Sequence, residues 1–214
     1  MPDPSSPLVV GFAQLAPVWL DREATLAKVV SAIHQAADQG ASVVAFGECL
    51  VPGYPFWLEL TDGARFNDPL QKEVHAEYLR QAVTIEDDHL RSAQEACAER
   101  KINAVLGLLE KPRDRGESAY ACCVVIGSSG DVLSAHRKLM PTYEERLAWS
   151  IGEWFMDRPY PARLLAFSRP FDMRPARASG IQFSQQLSAP RVNSPMRWVR
   201  RPCPSPIDQA SRSS

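Results

Sequence analysis

The sequence predicts an α/β fold built on a parallel sheet, and three features carry that expectation. Residues 8–15 (LVVGFAQL) and 42–46 (SVVAF) are continuous apolar runs of strand length, and the stretch between them places Leu26, Val29, Val30, Ile33 and Ala37 at helical spacing. Uninterrupted apolar runs belong to strands covered on both faces. A strand, a crossover helix and a second strand of this length form a right-handed unit with the two strands parallel.

Taken in order, each element has its own signal. Asp21 is placed to cap the first helix, and Gly40 to stop it. Residues 84–100 put Leu90, Ala93 and Cys97 on one helical face, and residues 103–109 (NAVLGLL) follow as another apolar strand. Residues 118–126 and 132–136 flank GSSGD, whose glycines suit a tight reversal, so a hairpin is expected there. Residues 55–84 have no clean period and read as a surface excursion with one short helix.

Composition excludes several classes. The net charge of −1 gives no electrostatic reason to expect nucleic acid or an anionic membrane as a partner. Five cysteines, an odd number without metal-ligand spacing, and a start lacking a basic segment followed by a long apolar one read as reduced thiols in a cytoplasm. The average conceals a change of character near Trp154: residues 1–154 hold 14 Lys and Arg against 22 Asp and Glu, whereas residues 155–214 hold 10 Arg, 3 Asp and neither Lys nor Glu. The second stretch also has 9 of the 18 prolines and a single glycine, Gly180. Proline removes backbone donors, so this stretch is expected to be an irregular tail. Its ten arginines lack the lysines and regular aromatic interleaving of a nucleic-acid-binding segment.

Two segments carry chemistry. In GASVVAFGECLVPGYP, Glu48 stands at the carboxyl end of an apolar strand, where ligands of α/β sheets bind. A carboxylate held there against apolar walls is destabilised in its charged form and becomes a better general base. Position alone leaves open a second reading, a glutamate paired with an arginine or capping the turn. In AHRKLMPTYEERLAW, Arg137 and Lys138 leave the hairpin and Glu144 and Glu145 open a short helix. Neighbouring residues of a strand point to opposite faces, so only one of the two basic side chains would face the crevice. A solvated charged turn is the alternative.

The two segments, in this order, resemble the nitrilase family. The first matches its glutamate signature at Gly40, Val43, Val44, Phe46, Glu48, Val51 and Gly53 to Pro55, and the second, HRKLMPTYEERL, matches its lysine segment. The resemblance runs from about Leu8 to Trp154. It implies an α-β-β-α sandwich hydrolase acting on carbon–nitrogen bonds, represented here by its N-terminal part and followed by the irregular tail. It also implies Glu48 as general base, Lys138 as stabiliser of the tetrahedral intermediate and Glu145 as supporting carboxylate, with Glu110 resembling a further recurring glutamate. No metal or organic cofactor is required. The substrate would be a nitrile or an amide, leaning towards a nitrile. Tyr54 and Trp57, with Phe56, are candidates to line its pocket, though core and oligomer contacts are equally open roles. The family's extensive interfaces imply a homo-oligomer or association with a full-length homologue.

One group is missing. The family's nucleophile sits in a Cys-Trp-Glu segment that would fall near residues 170–173, where this chain reads FSRPFDMRPARASG. Cys49 is expected to point away from Glu48, Cys97 to pack on a helix, Cys122 and Cys123 to pack in the hairpin, and Cys203 lies in RPCPSP without a positioned base. Residues 155–214 therefore read as disordered or out-of-frame sequence. The catalytic reading stands beside an alternative: an inactive fragment, or a non-catalytic module for binding or subunit interaction.

Overall fold

The computed structural model describes residues 8–152, together with the backbone of residues 180–184 and 198–201. Strand β1 (Val10–Gln14), helix α1 (Arg22–Asp38) and strand β2 (Val43–Phe46) form the first unit, with Val10 opposite Val43 in parallel register. Asp21 caps α1 by accepting the Ala24 N–H at 2.9 Å. Short helix α2 (Trp57–Leu60), α3 (Pro69–Arg80) and α4 (Arg91–Arg100) precede strand β3 (Asn103–Glu110), which lies parallel to β2. Strands β4 (Tyr120–Ile126) and β5 (Val132–Arg137) make the expected antiparallel hairpin.

Two elements differ from the sequence expectation. Helix α4 starts at Arg91 rather than near residue 84, because residues 85–87 make a single 3₁₀ turn and Asp88 is left-handed at φ 58°. The excursion at residues 55–84 holds a twelve-residue helix, α3, in addition to a short one. Its inward stripe mixes Gln71 and His75 with Val74 and Tyr78, which hides the apolar period, yet Asp68 caps it and Pro69 occupies its first position.

The strand order is β5-β4-β3-β2-β1-β6-β7. The last two, β6 (Gly180–Ser184) and β7 (Trp198–Arg201), come from the stretch expected to have no regular element. β1 offers an open edge, and these two proline-free segments supply the backbone donors to pair with it: β6 runs parallel to β1, and β7 antiparallel to β6. The rest of the change of character after Trp154, including residues 170–173 and Cys203, lies outside the described residues.

α1 and α4 lie side by side on one face of the sheet, burying Leu26, Val29, Ile33 and Cys97 against Val44, Leu106, Leu108, Cys122 and Val124. Each large apolar side chain in this layer contributes about 1.5–3 kcal/mol. Among the described residues the opposite face is half covered. Near the carboxyl ends of the parallel strands a second cluster packs Cys49, Trp57 and Tyr78 with Leu109, Ala121 and Trp149. Farther along, Phe12 and Cys123 are exposed. Among the described residues, no helix is long and apolar enough to cross a membrane.

Candidate active site

The chain leaves β2 at Gly47 and crosses over β3 before pairing again, with the Leu109 N–H donating to the Val51 carbonyl at 2.7 Å. The crossing is close. A side chain on Gly107 would put its Cβ 2.3 Å from the Gly47 carbonyl oxygen and 2.8 Å from Glu48 Cα, so only glycine fits beneath the turn that carries Glu48. Cys49 then turns left-handed, at φ 47°, and sends its thiol inward to the Tyr78 hydroxyl at 3.3 Å. Glu48 is left facing the cleft.

Lys138 is fixed just beyond β5. Its N–H donates to the Ala121 carbonyl at 2.7 Å and its carbonyl accepts from Gly152 at 3.0 Å. Its ammonium donates to Glu48 Oε1 at 2.9 Å and to Glu145 Oε2 at 2.9 Å, and lies 5.4 Å from the centre of the Trp149 ring. Glu145 belongs to a 3₁₀ turn (Tyr143–Leu147) closed by a capping box. The Thr142 N–H and hydroxyl both donate to Glu145 Oε2, at 2.7 and 3.0 Å, and the Tyr54 hydroxyl donates to Oε1 at 3.0 Å.

Three sequence-predicted residues, Glu48, Lys138 and Glu145, thus meet in one cluster, with 90 positions between the acid and the amine. Burial alone disfavours the Lys138 ammonium, and the hydrogen bonds to Glu48 and Glu145 outweigh it, so the amine stays protonated above the ordinary lysine range. Burial likewise pushes Glu145 up, but the Thr142 N–H, the lysine, the Thr142 hydroxyl and Tyr54 together hold it below the usual glutamate value. The expectation of apolar walls around Glu48 is corrected: its side chain is 53% exposed and faces an ammonium.

Glu110 is not part of this cluster. It lies on the other face of the sheet, 5% exposed, and receives both ends of the Arg137 guanidinium at 2.8 and 3.0 Å. Arg137 also stacks over Tyr120 at 4.6 Å. The structure therefore divides the Arg137-Lys138 pair between two faces, as strand alternation requires.

Trp57 is buried among Tyr78, Trp19 and His75, while Phe56 is half exposed beside the Tyr54 ring. Among the described residues, Cys49 adjoins Glu48 but turns its thiol inward to Tyr78, and Cys97 and Cys122 are buried in the helix-covered layer. Burial raises the Cys49 thiol to about 12 and the Cys97 thiol to about 11, and drives Cys122 higher still. Cys123, expected to be a packing residue, is exposed, since no described element covers its side of β4. Among the described residues no group of His, Cys, Asp and Glu is arranged to hold a metal ion.

Three supporting residues escaped the sequence reading. Thr142 was legible as the first residue of a Thr-x-x-Glu capping box, and Gly107 as an isolated glycine in an apolar strand. Trp149 had no local signal.

The carbon–nitrogen hydrolase profile matches residues 9–159. An arylacetonitrilase of Aspergillus kawachii is 37% identical over 153 residues, which are 72% of this chain and 43% of that protein. A protein named nitrilase 2, from an unknown prokaryotic organism, is 33% identical over 72% of this chain and 48% of its own length, and an aliphatic nitrilase of Rhodococcus rhodochrous is 36% identical over 67% and 36%. The chain spans less than half the length of these curated relatives. Among solved structures, an amidase from Nesterenkonia sp. AN1 in complex with acrylamide superposes with a TM-score of 0.52 at 19% identity, over 72% of this chain and 51% of that one. With the profile spanning most of the chain and the fold shared with that amidase, this chain belongs to the carbon–nitrogen hydrolase family.

Proposed function

We propose that the chain carries the proton-handling half of a nitrile-hydrolysing site. The supporting observation is the Lys138 ammonium forked between Glu48 and Glu145. In this reading Glu48 takes the proton of a thiol, whose sulfur adds to the nitrile carbon to give a thioimidate. Lys138 donates to the nitrogen as negative charge develops there, and Glu145 holds the ammonium in place. Water adds to the thioimidate carbon and ammonia leaves, giving a thioester. A second water releases the carboxylic acid and returns the thiol. The Tyr54 and Phe56 rings would offer apolar surface to the nitrile's substituent, with Trp57, 4% exposed, backing them from the core.

In this proposal the thiol comes from outside the described residues. In this proposal residues 1–154 are the N-terminal part of a hydrolase domain, and residues 155–214 are an out-of-frame reading that replaces the segment bearing the cysteine. Translating the underlying DNA in the other two frames tests this. A Cys-Trp-Glu segment is expected in one of them.

The activity is tested by fusing residues 1–152 to the remaining half of the Aspergillus kawachii arylacetonitrilase and following ammonia release from phenylacetonitrile. The fusion is expected to turn over, and the 214-residue chain alone is not. A folded, active fusion indifferent to Glu48→Gln would overturn the proposal. The absence of a thiol beside Lys138 among the described residues favours a second reading, a subunit-interaction module that keeps the cleft without turnover, and co-purification with a full-length homologue would support it.

A further inference from the structure

Tyr54 borders the cleft with both its backbone and its ring held by neighbours. Its backbone follows Gly53, which sits at φ 125° with no room for a side chain, since a Cβ there would lie 2.6 Å from the Trp19 ring. The Trp19 indole N–H donates to the Tyr54 carbonyl at 3.2 Å. The Tyr54 ring meets Trp149 edge-on at 5.5 Å, and Trp149 is itself tied by its N–H to the Tyr78 hydroxyl at 3.1 Å. Everything about this arrangement aims one hydroxyl at one oxygen, Glu145 Oε1.

The two oxygens of Glu145 are used differently. Oε2 accepts the Thr142 N–H, the Thr142 hydroxyl and Lys138 at 2.9 Å, whereas Oε1 accepts Tyr54 at 3.0 Å and Lys138 only at 3.2 Å. Without Tyr54, Oε1 would keep only Lys138 as a donor, and with that competition gone the charge-assisted bond now at 3.2 Å would shorten into a symmetric fork on Glu145. Such a fork would pull Lys138 back from Glu48.

We infer that Tyr54 is a positioning residue: by occupying Glu145 Oε1 it keeps the Lys138 ammonium shared with Glu48 instead of withdrawn onto Glu145. This rests on the reading of Glu48 and Lys138 as the working pair of a hydrolase. It gives the Tyr54 hydroxyl a task distinct from contact with the substrate, for which the ring alone is free.

The test uses the 214-residue chain labelled with ¹³C at glutamate carboxyls and ¹⁵N at lysine Nζ. In Tyr54→Phe, the Glu145 titration midpoint is expected to rise by about one pH unit, the size of one lost hydrogen bond to a carboxylate. The Lys138 to Glu48 coupling across the hydrogen bond is expected to fall about twofold, since that bond lengthens. A Glu145 midpoint within about 0.2 unit of the parent, or an unchanged coupling, overturns the inference. Phe56→Leu, which disturbs the neighbouring ring and removes no hydroxyl, is expected to move neither signal, and an equal shift there assigns the effect to packing and overturns the inference as well. Should Tyr54→Phe fail to fold, 3-fluorotyrosine at position 54 strengthens the donor and is expected to lower the Glu145 midpoint; no change or a rise counts against the inference. These signals are read without turnover. Failure of the fusion's dependence on Glu48 would sink the function and leave the Tyr54 result standing, and the reverse holds equally.

Discussion

The two faces of the β4–β5 hairpin handle charge in opposite ways within one residue of each other. On the face covered by α1 and α4, Arg137 meets Glu110 alone, cation to carboxylate, with 22% and 5% of the side chains exposed. On the other, Lys138 meets two carboxylates, one of them 53% exposed. The first arrangement is closed, and ties β5 to β3 across β4. The second has a carboxylate in excess and open to the cleft, so a proton can be taken up while the ammonium still keeps a partner. Pairing charges holds the fold in one case and, under the proposed function, would prepare chemistry in the other, and what separates them is stoichiometry and access.

The contrast can be broken most sharply at Glu48 and Lys138. In the fused enzyme, Glu48→Gln or Lys138→Ala is expected to lower kcat by about 10³-fold or more while leaving the urea midpoint nearly unchanged. Next comes the closed side. Arg137→Met strands Glu110 in the core and is expected to cost about 3 kcal/mol in urea unfolding, because an unpaired buried carboxylate is penalised far beyond the worth of the pair. A loss below about 1 kcal/mol would place Arg137 with ordinary surface ion pairs.

Adjacent cysteines repeat the division and sharpen it. Cys122 is opposite Arg137 and buried, whereas Cys123 is opposite His136 and exposed. Burial and the nearby Glu110 hold the Cys122 thiol protonated, so iodoacetamide at pH 8 is expected to label Cys123 at least about 100-fold faster, read by peptide mass spectrometry. Equal labelling would mean that the helix-covered face opens readily.

The smallest effect concerns acid. Glu145 is held below its unfolded value, so it contributes stability that is present above the ordinary glutamate range near about 4.3 and lost as pH falls through its folded value. The urea midpoint is expected to drop between about pH 5 and pH 3, and less steeply in Glu145→Gln. Identical slopes would remove Glu145 from the list of groups that stabilise the fold.

What was legible in the sequence followed from local period. The apolar runs gave β1, β2 and β3, GSSGD gave the hairpin, and strand alternation separated Arg137 from Lys138 before any coordinates. Helix α3 was hidden because its inward stripe uses Gln71 and His75, and the start of α4 because Leu90 keeps the apolar spacing of the helix although the 3₁₀ turn and left-handed Asp88 precede it. At the site, the acid and the amine were visible through resemblance, but the Tyr54 hydroxyl on Glu145 and the Trp149 ring under Lys138 are products of tertiary folding across 91 and 11 positions. Nor could sequence say that Glu48 would be exposed, since that depends on how much of the sheet's second face is covered.

Under the proposed function, the imbalance of two carboxylates to one ammonium would also set a direction for traffic. A nitrile carries no charge and would enter such a cleft without electrostatic resistance. The acid made from it would be an anion at neutral pH, and the surplus formal negative charge around Lys138 would repel it. The same residues that would start the reaction would thus help clear its product.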